Sequence, residues 1–144
     1  MKLFTIGFTK KSAEDFFESL KKNNVKKLID IRLNTKSQLA GFAKQNDLKY
    51  FLQQICKIEY LYMPNLAPSK ELLDGYQDKR VSWEQYEKEY LDILEGRKIL
   101  SNIDYSVFNN ACFLCSEDTP EQCHRRLAAE YLARANKEIE IVHL

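Results

Sequence analysis

The sequence predicts an α/β fold, a three-layer domain with a mostly parallel sheet of about five strands and helices on both faces. Three observations predict it. Five short apolar runs alternate with segments whose apolar residues recur at helical spacing. One of those runs, "ACFLC" at Ala111–Cys115, is apolar without interruption, as a parallel strand covered on both faces is. Only four glycines and three prolines break the 144-residue chain, so no linker divides it and residues 1–144 form one α/β domain.

The elements follow in order. Lys2–Ile6 is the first strand, ending at Gly7. Ser12 caps a helix, with Asp15 three residues on and Phe16, Phe17 and Leu20 turned inward. "KLIDIR", Lys27–Arg32, is the second strand. Asn46 caps a helix that carries Leu48, Phe51, Leu52 and Ile55. "EYLYM", Glu59–Met63, is the third strand, closed by Pro64. Ser69–Gln77 is a short helix. Ser82 with Gln85 fits a capping box, after which Trp83, Tyr86, Tyr90 and Leu94 share a face until Gly96. After "ACFLC", Thr119 caps a helix with Pro120 at its first position and Gln122 three residues after the cap. Leu127, Ala128, Tyr131 and Leu132 form its inner face. "IEIVHL" closes the chain as the fifth strand. Short right-handed crossovers favour the strand order 3-2-1-4-5.

Composition narrows the function. With 44% hydrophobic and 30% charged residues, the chain reads as soluble and globular. A net charge of +1 gives no global pull toward nucleic acid or acidic membranes, so any anion site is local. No run approaches membrane-spanning length, and in "MKLFTIGFTKKS" charge returns too soon for a signal peptide. The expected location is the cytoplasm, where Cys56, Cys112, Cys115 and Cys123 are mostly reduced thiols rather than a disulfide framework.

Residues that carry chemistry collect after the strands. Gly7, Phe8 and Thr9 follow the first, and the second ends in Asp30-Ile31-Arg32. The fourth ends in Cys115-Ser116-Glu117, with Cys123, His124 and Arg125 at the next helix start. In a parallel sheet these places share one edge, where a switch-point crevice opens. Three chemistries compete there. A metal site draws on Cys112-x-x-Cys115 with Cys123-His124. Against it, residues three apart in a strand face opposite ways, and neighbouring Cys123 and His124 on a helix are poorly placed to share an ion. No metal is therefore assigned, and Cys112 reads as a small core residue. A reactive thiol draws on Cys115 or Cys123, with His124 as base or acid and the helix start lowering the thiol pKa. Cys123 equally fits the apolar face with Leu127 and Tyr131. An anion pocket draws on Arg32, Arg125, His124, Thr9 and the amides of the Thr119 helix start, with Asp30 orienting Arg32 or His124. Its bland counterpart is a structural ion pair of Asp30 or Glu117 with an arginine. Trp83, Tyr86 and Tyr90 read as core rather than as a platform for bases.

"TIGFT", "DIR", "LAPSKELLDGY" and "FLCSEDTPEQCHRR" together resemble the domain of unknown function family four-eighty-eight, with a Leu-Cys-x-Glu turn, a proline and then Cys-His-Arg. The resemblance places the family's residues on Thr5, Gly7, Thr9, Asp30, Arg32, Cys115, Glu117, Cys123, His124 and Arg125, and it implies a site but no reaction. The chain departs from the family pattern at "LNTKSQLAGF", where the pattern often has a proline and an arginine, and at "NLAPSK", where a glycine-rich segment is usual. The expectation is an enzyme acting on an anionic, phosphate-bearing substrate, nucleotide or nucleic acid among the candidates. Its catalytic set is Cys115, Cys123, His124, Asp30 and Glu117. Its substrate-binding set is Thr5, Gly7, Thr9, Arg32 and Arg125. The rivals are a non-catalytic ligand- or nucleic-acid-binding module and a thiol redox or zinc protein. No cofactor or oligomeric state is assigned.

Overall fold

The helices begin where hydroxyl side chains cap them. Ser12, Ser69 and Ser82 stand in extended backbone, and each accepts the N–H of the residue three further on. They open α1 (Ala13–Lys22), α3 (Lys70–Gln77) and α4 (Trp83–Gly96). All three helices close alike. Asn24, Lys79 and Lys98 turn left-handed, with φ of 56°, 62° and 55°. Paired backbone bonds then satisfy the last carbonyls, as when the N–H groups of Lys98 and Ile99 reach Glu95 and Leu94. Gly96 is thus still helical, and the left-handed position falls to Lys98. The computed structural model describes residues 1–36, 40–101, 103–117 and 119–144, so part of the "LNTKSQLAGF" loop lies outside the described residues.

Two helices depart from expectation. α2 (Gln45–Tyr50) starts behind Lys44 rather than Asn46 and runs into a π-helical turn, Phe51–Cys56. A wider turn shifts the phase of the side chains, so Leu48 and Leu52 stay buried while Ile55 swings out to 63% exposure. α5 spans His124–Ala135 with Cys123 as its cap, four residues later than the Thr119 cap predicts.

The sheet contains β1 (Lys2–Gly7), β2 (Lys27–Asp30), β3 (Glu59–Tyr62), β4 (Ala111–Cys115) and β5 (Glu140–His143). All pairings are parallel, in the order β3-β2-β4-β1-β5. The expected order 3-2-1-4-5 is corrected: β4 inserts between β2 and β1, and β5 pairs with β1. The inserted strand is the one buried along its whole length, and the edges fall to the half-exposed β3 and β5. Strand alternation splits the core in two. Phe4, Ile6, Leu28, Cys112 and Leu114 pack toward Phe16 and Leu20 of α1 and Leu48 of α2. Leu3, Ile29 and Phe113 pack toward Leu72 of α3, Leu94 of α4 and Leu127 of α5. That is the three-layer α/β arrangement. No helix among the described residues is long and apolar enough to cross a membrane.

This order positions the site. β1 leaves the sheet through α1 on one face, and its neighbour β4 leaves through α5 on the other. The switch point therefore lies at their carboxyl ends. The register sets Gly7 opposite Cys115 on one side of β4 and Asp30 opposite Leu114 on the other.

Candidate functional site

Cys115, Cys123 and His124 meet at the carboxyl end of β4. The two cysteines are a disulfide pair with Cα atoms 7.3 Å apart, against the expectation of mostly reduced thiols, while Cys56 and Cys112 are free. Cys115 Sγ lies 3.5 Å from His124 Nδ1. Nε2 of the same ring is 2.8 Å from the Ile31 carbonyl oxygen. A carbonyl only accepts, so Nε2 carries the proton and donates, and the bare Nδ1 faces the sulfurs. Burial holds the imidazole pKa down at about 4, against the opposing pull of the Ile31 bond. The Tyr90 ring packs edge-on at 5.7 Å and closes the far side. Among the described residues, Cys115, Cys123 and His124 have ligand atoms that all fall within 4.8 Å of one another.

The two objections to a metal fare differently. Cys112 does face the opposite layer, and burial pushes its thiol pKa far up, which leaves it inert. The objection to Cys123 beside His124 fails, because Cys123 precedes the helix. Its extended backbone, φ −140° and ψ 140°, turns its sulfur to the same point as the imidazole.

Asp30 and Arg32 form the second cluster. Arg32 Nε and Nη2 donate to the two Asp30 oxygens at 2.9 and 2.8 Å, and Tyr60 donates its hydroxyl to Asp30 at 2.6 Å. Asp30 is fully buried and Arg32 is 2% exposed. The third guanidinium nitrogen, Arg32 Nη1, is buried without a hydrogen-bond partner. That is a costly state for a charged group unless something completes it.

A third group fixes the chain around the site. Thr9 donates both its N–H and its hydroxyl to the Ser116 carbonyl, at 3.1 and 2.6 Å. A Cβ on Gly7 would stand 1.5 Å from the Glu117 oxygen, so only glycine admits this approach. Arg125, 0% exposed, donates to Thr5 Oγ1 at 3.2 Å and to the Glu117 carbonyl. Thr5 also bonds His143 Nδ1 at 2.6 Å, which gives His143 a role the sequence did not assign.

Thr9, Arg32, Cys115, Glu117, Cys123 and His124 all line one open cleft of about 1260 Å³. Thr5, Gly7, Asp30 and Arg125 do not; they stand behind its wall. The amides expected from a Thr119 helix start are also missing, since α5 begins at His124. Further lining that sequence reasoning left out of the site comes from α3 and α4, with Tyr76, Trp83 and Tyr86, and from the turn between them, with Lys79 and Arg80. Trp83 stacks on Tyr86 at 5.2 Å and 17°, and Tyr76 donates across the cleft to Gln122 at 3.1 Å. The helical spacing marked these rings as apolar, and Tyr86 and Tyr90 are indeed buried. Nothing local distinguishes Trp83, which the same face leaves at the cleft surface.

Against known families, the chain matches the model described as Domain of unknown function DUF488 over residues 12–132. The chain belongs to this family. No curated protein and no solved structure matches it. The DUF488 match spans Asp30, Arg32, Cys115, Glu117, Cys123, His124 and Arg125, whereas Thr5, Gly7 and Thr9 precede it. The structure joins both sets, since Gly7 and Thr9 hold the Ser116–Glu117 turn of the DUF488 segment against β1.

Proposed function

We propose that this DUF488 chain is a small enzyme acting on an anionic, phosphate-bearing substrate held in the cleft. Arg32 anchors the anion, and the Cys115–Cys123–His124 cluster supplies the reacting groups. One observation carries the reading: Arg32 Nη1 is a buried cationic donor without a partner, in the same cleft as a neutral imidazole and two sulfurs. An anion that shifts the cover of Nη1 slightly gains a charge-assisted hydrogen bond and removes a desolvation penalty. Lys79 and Arg80 line the same cleft, Arg80 paired with Asp78 at 3.1 Å, and half-buried Trp83 offers a flat apolar surface for an attached base or ring. The working compartment in this reading is the cytoplasm, with the Cys115–Cys123 pair reduced in the active form.

The test is titration of the wild-type chain with pyrophosphate and with a nucleoside diphosphate. It is followed by calorimetry and by emission of Trp83, the chain's single tryptophan. Saturable binding that Arg32→Lys weakens, measured at a temperature where circular dichroism shows the variant folded, supports the reading. Absence of binding in the reduced wild-type chain sinks it. Binding without turnover on a phosphoester panel favours the non-catalytic module.

A further inference from the structure

The geometry points to a metal site formed by Cys115, Cys123 and His124, taking zinc with one coordination position open to the cleft. The donor set comes first. Two thiolates and an imidazole suit zinc over the hard cations, and three protein ligands leave the fourth tetrahedral position for water or substrate. The distances agree. Zinc bonds of about 2.3 Å to sulfur and 2.0–2.1 Å to nitrogen put those two atoms about 3.6 Å apart at a tetrahedral angle. Cys115 Sγ and His124 Nδ1 are 3.5 Å apart.

Two further observations point the same way. A metal-binding histidine generally gives its other ring N–H to a carbonyl or carboxylate, which fixes the tautomer. His124 Nε2 does this with the Ile31 carbonyl, 2.8 Å away and one residue past the end of β2. Cys123, although it caps α5, makes no side-chain capping bond, so its sulfur is not committed to the helix. All three residues line the cleft, so the open position faces the space that holds Arg32. Such an ion would serve as a Lewis acid or as the source of a bound hydroxide.

The site stands apart from the anion reading, because its test uses no phosphate ligand. A phosphine first reduces the pair to two thiols, itself becoming the oxide with oxygen from water. Zinc then displaces both thiol protons to solvent. The expected result is one zinc per reduced full-length chain after gel filtration. Cobalt in its place should show the near-ultraviolet charge-transfer band of thiolate ligation. Zinc should suppress alkylation of Cys115 and Cys123, whose thiolates it holds, and leave Cys56 unchanged. Cys123→Ser should lower the cobalt band to half or less, since one of two thiolates is gone, and Cys56→Ser should keep it. The proposal is overturned if the reduced wild-type chain, folded by circular dichroism, shows no charge-transfer band and alkylates equally with and without zinc. It is overturned equally if Cys56→Ser loses the band. Should Cys123→Ser fail to fold, the wild-type alkylation comparison decides.

Discussion

Replacing Asp30 by asparagine removes the charge that compensates Arg32. The carboxylate accepts two guanidinium bonds at 2.9 and 2.8 Å, the Arg32 N–H at 3.2 Å and the Tyr60 hydroxyl at 2.6 Å, all in a site from which solvent is nearly absent. Arg32 then keeps its charge with Nη1 already unpartnered, and the Phe8 ring at 5.5 Å is its remaining cationic contact shown. Breaking one side of a buried pair costs about 3–5 kcal/mol. Unfolding entropy of about 2.1 cal/mol/K per residue gives about 300 cal/mol/K for this length, so the loss corresponds to a fall in Tm of about 10–17 °C. The assay is reversible thermal and urea unfolding of wild type, Asp30→Asn, Arg32→Met and the double variant. The double variant should recover much of the loss, because it no longer buries a lone charge. A cost below about 1 kcal/mol for Asp30→Asn, or strict additivity in the cycle, refutes the view that this pair is a buried, interdependent unit.

Further outcomes are expected at other positions. Gly7→Ala places a methyl group on the Glu117 carbonyl; it should cost more than about 3 kcal/mol in urea unfolding or force the Ser116–Glu117 turn open, raising proteolysis there. Lys98→Gly relieves a left-handed side-chain residue at φ 55°, and should stabilise the chain by about 0.5–1 kcal/mol in the same assay. In the metal-free protein, burial holds the folded His124 pKa near 4 against an ordinary 6.5. Its contribution is therefore complete above pH 6.5, and it is lost as the pH falls toward 4, by about 3 kcal/mol in all. His124→Gln should flatten that part of the stability–pH curve. Tyr60→Phe removes one bond to the Asp30 carboxylate, and should cost about 1.5–3 kcal/mol while leaving Trp83 emission unchanged.

Much of the fold was legible because its signals are local. The serine caps, the helical spacing of Tyr86, Tyr90 and Leu94, and the unbroken apolar run of β4 depend on neighbours a few residues away. Collecting the site at the strand carboxyl ends needed one inference more, that parallel strands end on a common edge. That brought Arg32, Cys115, Cys123, His124 and Thr9 to one cleft. Local signals failed where two of them competed. Thr119-Pro120 reads as a helix start, yet the chain bends there and α5 waits until His124. The π turn after Tyr50 likewise has no marker in a pattern of apolar residues.

The sequence by itself determined the α/β class, the strands and most helix starts, and the residues available for chemistry, because hydrophobic period and capping act over one or two turns of chain. Tertiary structure decided which strand lies centrally, since β1 and β4 are both apolar and the choice rests on crossovers that span dozens of residues. It also decided roles. Arg125 and Arg32 are alike as letters, but one is locked behind the wall by Thr5 and the Glu117 carbonyl, and the other presents an unpartnered nitrogen beside the cleft. Burial and hydrogen-bond satisfaction separate the two, and both depend on atoms supplied from distant parts of the chain.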